Sequence, residues 1–148
     1  EAIEAAFPFG RDSLSPMKMP SLNHLSLVVS DPERSAAFYE GLFGMERQWR
    51  EGDFVFLSCG EADLALVRGK PLIHRRFHFG FRLESRAEVT AWLERVRAHE
   101  APVTHGPEDY GDYFTFSLRD PDGYAVEVYY EGEKRGRAGD VTRGEADE

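Results

Sequence analysis

The chain has 148 residues, of which 41% are hydrophobic and 13% aromatic, values that fit about one globular domain with a substantial core. Its formal net charge of −9 disfavours a nucleic-acid partner, because phosphate binding needs a basic face. A single cysteine, Cys59, excludes an internal disulfide, and no apolar run reaches membrane-spanning length. We therefore expect a cytoplasmic protein with neither a membrane nor a nucleic acid as partner.

The two ends of the chain differ in composition from its middle. Residues 1–20 contain three prolines and little periodicity, which predicts an N-terminal arm. Residues 132–148 are charged, contain four glycines and lack aromatic side chains, which predicts a flexible tail. Residues 21–131 are predicted to form the single globular domain.

The first half of this domain opens with a strand that runs into a helix, in "LNHLSLVVSDPERSAAFYEGLFG". Ser30 and Asp31 are candidates for the helix N-cap. Pro32 suits the first helical turn, and Gly44 suits the C-terminal cap. The segments "DFVFLSC" and "ADLALV" follow and are typical of strands.

The second half repeats this order in "FHFGFRLESRAEVTAWLERVRAH". Ser85 and Glu88 form a capping-box pattern, and an apolar stripe at helical spacing follows between residues 89 and 96. The strand-like segments "YFTFSL" and "YAVEVYY" come next. His24 and His78 hold matching places in the two halves, 54 residues apart, which indicates a repeated module.

These elements predict an α+β fold of two βαβββ modules, at about residues 21–70 and 75–131. Their strands are predicted to form a curved, cup-shaped mixed sheet with the helices on its outer face. The phenylalanines of the strands fall on alternate positions and therefore on one face of the sheet, which is the face that the helices are predicted to cover.

The segment "DPDGYAVEVYY" places a carboxylate in the middle of an apolar strand. Alternation puts Val126 and Val128 on the helix-covered face and Glu127 on the other. If the sheet curls into a cup, an ionised Glu127 is costly unless it is paired with a cation or a metal. His24 and His78 share this inner face, and two histidines with one carboxylate can bind a divalent transition metal. If the face meets water instead, these residues need no such partner, and residue types alone leave both interpretations open.

Three motifs together, "LNHLSLVVSDPERSAAFYEGLFGM", "HFGFRL" and "DPDGYAVEVYY", resemble the vicinal oxygen chelate superfamily. This family includes glyoxalase I, extradiol dioxygenases, fosfomycin-resistance thiol transferases and bleomycin-resistance proteins. The resemblance runs from about Leu22 to Glu131. It implies a cup that holds one divalent metal, usually in a homodimer, with His24, His78 and Glu127 as ligands. Where modules pair across subunits, it implies that His24 comes from one chain and the other two ligands from its partner.

Departures from the family's subgroups narrow the implied chemistry. Glyoxalase I has a fourth ligand, a carboxylate, at a place that here lies near Ala65, with Asp63 two residues away. Fosfomycin enzymes use a lysine in the second module, and this chain has none among the cup strands there. The resemblance therefore favours an enzyme similar to the extradiol dioxygenases, with Fe(II) or Mn(II) and with Zn or Ni as further options. A non-catalytic small-molecule or drug-binding protein and a lyase or isomerase of the glyoxalase type stay open as alternatives.

Catechol dioxygenases of this family also use an acid–base histidine and a tyrosine near the metal, and the resemblance implies His74 and Tyr113 for these two places. Tyr113 has the parity of the inner face, whereas His74, four residues before His78, suits an exposed loop better than a catalytic role. Arg82 is a candidate contact for an anionic substrate, or else a partner of an acid at the rim. The predicted pocket residues share the inner face: Ser26, Arg82, Thr115 and Tyr129. Tyr129 is also a candidate for holding Glu127 in place.

Overall fold

The computed structural model describes Lys18 and residues 20–132 of the chain. The predicted N-terminal arm and the predicted tail therefore lie almost entirely outside the described residues. The first module consists of β1 (His24–Val29), α1 (Pro32–Phe43), β2 (Glu46–Glu51), β3 (Phe54–Cys59) and β4 (Ala62–Arg68). The second consists of β5 (His78–Leu83), α2 (Arg86–Ala98), β6 (Val103–Asp109), β7 (Tyr113–Arg119) and β8 (Ala125–Glu131).

Each module folds into a four-stranded mixed sheet. The strand orders are β1-β4-β3-β2 and β5-β8-β7-β6, so the first strand of each module is an edge strand. β1 runs parallel to β4 and β5 parallel to β8, and the remaining pairs are antiparallel. The predicted α+β fold of two βαβββ modules is confirmed. The strands form two separate sheets, however, and not one continuous cup.

Local sequence signals fix the ends of both helices. Asp31 is the N-cap of α1, where its side chain accepts hydrogen bonds from two backbone N–H groups, and Pro32 follows at the first helical position. Gly44 ends α1 in the left-handed region, with φ 69°. Ser85 and Glu88 form the predicted capping box of α2. None of the helices in the described part of the chain is long and apolar enough to cross a membrane.

The core lies between each sheet and its helix and continues from one module to the other. Alternation along the strands sends Leu27, Leu66, Phe116 and Val126 into it, all nearly or fully buried. At the junction between the modules, the ring of Phe43 at the end of α1 stacks on Trp92 of α2, with centroids 5.5 Å apart. The inner faces of both sheets are therefore left for polar and exposed side chains.

Candidate metal centre

The inner face of the second sheet carries His78 and Glu127, the two residues of the second module that strand alternation assigned to one face. β8 lies between β5 and β7, and Glu127 of β8 is in register with Gly80 of β5 and Ser117 of β7. A Cβ atom added to Gly80 would lie 3.1 Å from the Tyr129 ring and 3.2 Å from the Glu127 carbonyl oxygen. Glycine at this position thus lets β8 and the Tyr129 ring approach β5 closely beside the carboxylate.

The Glu127 carboxylate is oriented by two hydroxyl groups. Tyr113 donates a hydrogen bond of 2.6 Å and Thr115 one of 2.7 Å, both to Oε1. The other carboxylate oxygen, Oε2, lies 3.7 Å from Nε2 of His78. The side chain of Glu127 is 17% exposed, so one oxygen is tied into the sheet while the other faces the histidine.

The His78 ring is positioned through its other nitrogen. Nδ1 lies 3.3 Å from the carbonyl oxygen of Arg76, which favours the tautomer with the proton on Nδ1. Nε2 then has its lone pair free to act as a ligand, the arrangement that commonly orients metal-binding histidines. Two ligands that are each about 2.1 Å from one ion can be at most about 4.2 Å apart, and the 3.7 Å between His78 Nε2 and Glu127 Oε2 lies within this limit.

Tyr113 acts on Glu127 as a fixed hydrogen-bond donor. Burial, and then the hydrogen bond to Glu127 and the charge of that carboxylate, raise the pKa of Tyr113 well above its ordinary value. Its ring also stacks on Tyr129, with centroids 5.3 Å apart. The hydroxyl therefore stays protonated and directed at Oε1. A catalytic role for Tyr113 remains a prediction, while its contact with Glu127 is that of a positioning residue.

Removing either hydroxyl is expected to weaken metal binding about 10-fold, because residues that orient a ligand contribute about 10- to 100-fold to metal affinity. Tyr113→Phe and Thr115→Val each delete one donor to Oε1 and leave the ring or the branched shape in place. Isothermal titration of Mn²⁺ into each variant measures the change. Ser117→Ala is the matched control, since it removes a hydroxyl from the same face of β7. Equal affinities for all three variants and the native chain would contradict this role.

His24 is not part of this cluster. It opens the edge strand β1, is exposed, and is in register with Asp63 of β4. Among the described residues, no three histidine, cysteine, aspartate or glutamate side chains lie close enough together to hold a metal. One chain thus brings His78 and Glu127 together but leaves His24 apart from them.

The register of β1 and β4 also locates the first module's counterpart of Glu127. Ser26 pairs with Ala65 as Gly80 pairs with Glu127, so Ala65 occupies the equivalent position. The first module therefore has a methyl group where the second has its carboxylate. Asp63, which pairs with His24, is the nearest acid on this strand face.

The remaining candidate residues are placed as follows. Arg82 donates a hydrogen bond of 2.9 Å to the carbonyl oxygen of Glu131, so its guanidinium is engaged at the rim of the second sheet. His74 is exposed in the segment before β5, and its Nδ1 accepts a hydrogen bond from the backbone N–H of Arg76. Its catalytic role stays a prediction.

A groove of about 780 Å³ lies between β1 and β5, the first strands of the two modules. His24 and His78 both contribute to its lining, and Phe43, Phe81 and Trp92 are among the apolar residues that line it. Sequence reasoning did not foresee this groove, because it depends on how the two modules pack.

Comparisons with known proteins agree with this architecture. The family model described as Glyoxalase/Bleomycin resistance protein/Dioxygenase superfamily matches residues 21–128. The chain is 28% identical over 123 residues to the manganese-dependent 2,3-dihydroxybiphenyl 1,2-dioxygenase of Geobacillus genomosp. 3, and the match covers 79% of this chain but 38% of that protein. It is 28% identical over 117 residues to the glutathione transferase FosA of Serratia marcescens, covering 75% of this chain and 81% of that protein. The solved structure of lactoylglutathione lyase from Agrobacterium tumefaciens matches with a TM-score of 0.66 and 28% identity, over 77% of this chain and 96% of that one.

Proposed function

Because the chain belongs to the Glyoxalase/Bleomycin resistance protein/Dioxygenase superfamily, we propose that it is a divalent-metal-dependent enzyme similar to the extradiol dioxygenases. The observation that carries this proposal is the Glu127 carboxylate, held at Oε1 by Tyr113 and Thr115 and turned through Oε2 toward His78. A carboxylate fixed in this way is ready to bind an ion before the ion arrives.

The third ligand is His24 of a second copy of the chain. His24 is exposed on an edge strand and lies apart from the other two ligands within one chain, which supports a site shared across a homodimer. Exposed apolar side chains close in sequence to β1 and β5 support burial against another chain: Leu22 at 97%, Leu72 at 71% and Ile73 at 48% exposure. Each dimer would then hold two equivalent sites.

A divalent ion held by two histidines and one carboxylate supplies a Lewis acid with open positions for a substrate that has two adjacent oxygens. His78 and Glu127 hold the ion from one side, and Tyr113 and Thr115 keep the carboxylate in its ligating orientation. The inner face around them, with Tyr129 and Arg82, surrounds the substrate's oxygens.

The choice of Mn(II) or Fe(II) rests on the ligand types and on one relative. Imidazole and carboxylate ligands suit both ions, and the Geobacillus relative carries manganese in its name. Ala65 in place of a second carboxylate speaks against the four-ligand site expected for glyoxalase I. We propose a substrate that chelates the ion through two adjacent oxygens, as a catechol does.

Mixing variant chains tests the shared site directly. His24→Ala and Glu127→Ala homodimers should each fail to bind Mn²⁺ tightly. When the two variants are unfolded together and refolded as mixed dimers, one of the two sites regains all three ligands. Titration should then recover about one tight Mn²⁺ per mixed dimer.

The matched control mixes His78→Ala with Glu127→Ala. Both residues belong to the same half-site, so no site in such a mixed dimer is complete, and no tight binding should return. Recovery in neither mixture, with monomeric native protein in sedimentation analysis, would overturn the shared site. Native protein that binds no Mn²⁺ or Fe²⁺, and consumes no oxygen with catechols, would overturn the enzyme proposal.

A further inference from the structure

Asp63 is an acidic residue on the inner face of the first sheet, beside the proposed ligand His24. The two residues are partners in the parallel register of β1 and β4. Asp63 alternates along β4 with the buried Leu64, so its side chain lies on the face opposite the core. Its backbone N–H donates a hydrogen bond of 2.8 Å to the carbonyl oxygen of Asn23, which joins the two strands at this point. Because neighbouring strands are only about 4.8 Å apart, the carboxylate can reach the His24 ring.

The fold of a single chain does not use either of these side chains in a polar contact. Both are exposed, and within the described part of the chain neither side chain makes a hydrogen bond or an ion pair. Other acids of the same module have such partners, as Glu40 does in its 2.6 Å ion pair with Arg47. The Asp63 carboxylate is therefore free to turn toward His24.

The two modules carry their inner-face acid at different places on the last strand. Ala125 pairs with His78 as Asp63 pairs with His24. The second module thus has a methyl group at this place and its carboxylate, Glu127, two residues later. The first module has the carboxylate here and a methyl group two residues later. Because the fold accepts either side chain beside the histidine, a structural requirement does not explain the acid in the first module.

The histidines of the two modules also differ in what orients them. Nδ1 of His78 lies 3.3 Å from the carbonyl oxygen of Arg76, two residues before it. Among the described residues, no such acceptor is bonded to the His24 ring. Metal-binding histidines almost always donate their second ring N–H to a carboxylate, a backbone carbonyl or water. Asp63 is the carboxylate that the strand register places beside His24 for this bond.

We propose that Asp63 is a positioning residue for His24. Its carboxylate accepts a hydrogen bond from one ring nitrogen of His24 while the other ring nitrogen binds the ion, and Asp63 itself does not touch the ion. This bond fixes the orientation of the ring and makes it a more basic ligand. The inference rests on the proposed function, in which each site takes His24 from one chain and His78 with Glu127 from the other. Asp63 then belongs to the half-site of His24.

Asp63→Ala is expected to lower the affinity for Mn²⁺ about 10-fold, the lower end of what residues that orient a ligand contribute. Asp63→Asn should retain most of the affinity, because the amide oxygen still accepts a hydrogen bond. Glu61→Ala is the matched control, since it removes an exposed carboxylate from the turn just before β4 and so measures the effect of charge alone. Calorimetric titration of Mn²⁺ compares the variants. Equal losses in Asp63→Ala and Glu61→Ala would overturn the proposal.

Mixed dimers separate this role from a general effect on the fold. The one complete site in the mixture of His24→Ala with Glu127→Ala takes His24 from the Glu127→Ala chain. Asp63→Ala added to that chain should weaken the recovered site about 10-fold. The same substitution added to the His24→Ala chain should leave the affinity unchanged, although both dimers contain the same three substitutions.

The outcomes distinguish this inference from the proposed function. Equal affinities in the two arrangements would overturn the role of Asp63 and leave the shared site standing. If the mixture regains no tight Mn²⁺ site even without Asp63→Ala, the shared site itself is overturned, and the inference falls with it.

Discussion

Replacing Glu127 with glutamine is expected to lower the affinity for Mn²⁺ by about 100-fold or more. Residues that only orient a ligand contribute about 10- to 100-fold to metal affinity, and the loss of a ligand itself should cost at least as much. The amide has the size of the carboxylate, so the contacts with Tyr113 and Thr115 can be kept. If the amide oxygen takes their hydrogen bonds, the NH2 group, which has no lone pair for a metal, faces His78. If the amide is flipped, the ligating oxygen is retained but its negative charge is lost. Both orientations weaken the site.

The electron paramagnetic resonance signal of free Mn²⁺ measures this loss directly, since bound ion broadens and leaves the sharp spectrum. Glu94→Gln is the matched control, because it makes the same change at an exposed position of α2. Circular dichroism and thermal unfolding should show that both variants stay folded. Wild-type affinity in Glu127→Gln would mean that the carboxylate is not a ligand.

The helices could be predicted from sequence because their signals are local. The Asp31 and Ser85 caps and the left-handed Gly44 act within one turn of the chain. Strand alternation predicted the faces of β8 for the same reason. Successive side chains of a strand point to opposite faces, so Val126 lies in the core and Glu127 on the inner face. These local signals do not depend on how the two modules pack against each other.

The edge strands β2 and β6 were not located in advance. Every residue of β2 is exposed, and its sequence, "ERQWRE", lacks the apolar alternation of a half-buried strand. β6 contains Gly106 and Pro107, which are typical of loops, and its pairing with β7 is interrupted on either side of His105. The stacking of Trp49 on Phe56 escaped prediction as a consequence, because it depends on the register between β2 and β3.

The candidate site was likewise predicted only where local alternation determines it. Parity put His78 and Glu127 on one face, but the bonds from Tyr113 and Thr115 depend on the antiparallel register of β7 with β8. Thr115 was predicted only as a pocket residue, and its contact with Oε1 gives it a more specific place. The separation of His24 depends on how whole modules pack, which no local pattern encodes.

Asp122→Ala is expected to lower the free energy of unfolding by about 2–3 kcal/mol, or roughly 10 °C in melting temperature for a domain of this size. The Asp122 carboxylate, only 4% exposed, joins the turn before β8 to the start of α1 in the other module. It accepts hydrogen bonds from the backbone N–H of Ser30 at 3.1 Å, the Ser30 hydroxyl at 2.5 Å and the Arg34 guanidinium at 3.0 Å. Alanine leaves these donors without their acceptor at the junction between the modules, where a charge-assisted bond also contributes.

The matched control is Asp53→Ala, which breaks another aspartate–arginine pair. Asp53 is 68% exposed and its partner Arg68 50%, so the loss should stay below about 1 kcal/mol. Urea unfolding monitored by fluorescence compares the two variants. Because Asp122 links the modules while the core between Phe43 and Trp92 stays intact, unfolding of Asp122→Ala should remain a single transition at lower urea concentration. Equal losses in the two variants would show that this contact does not hold the modules together.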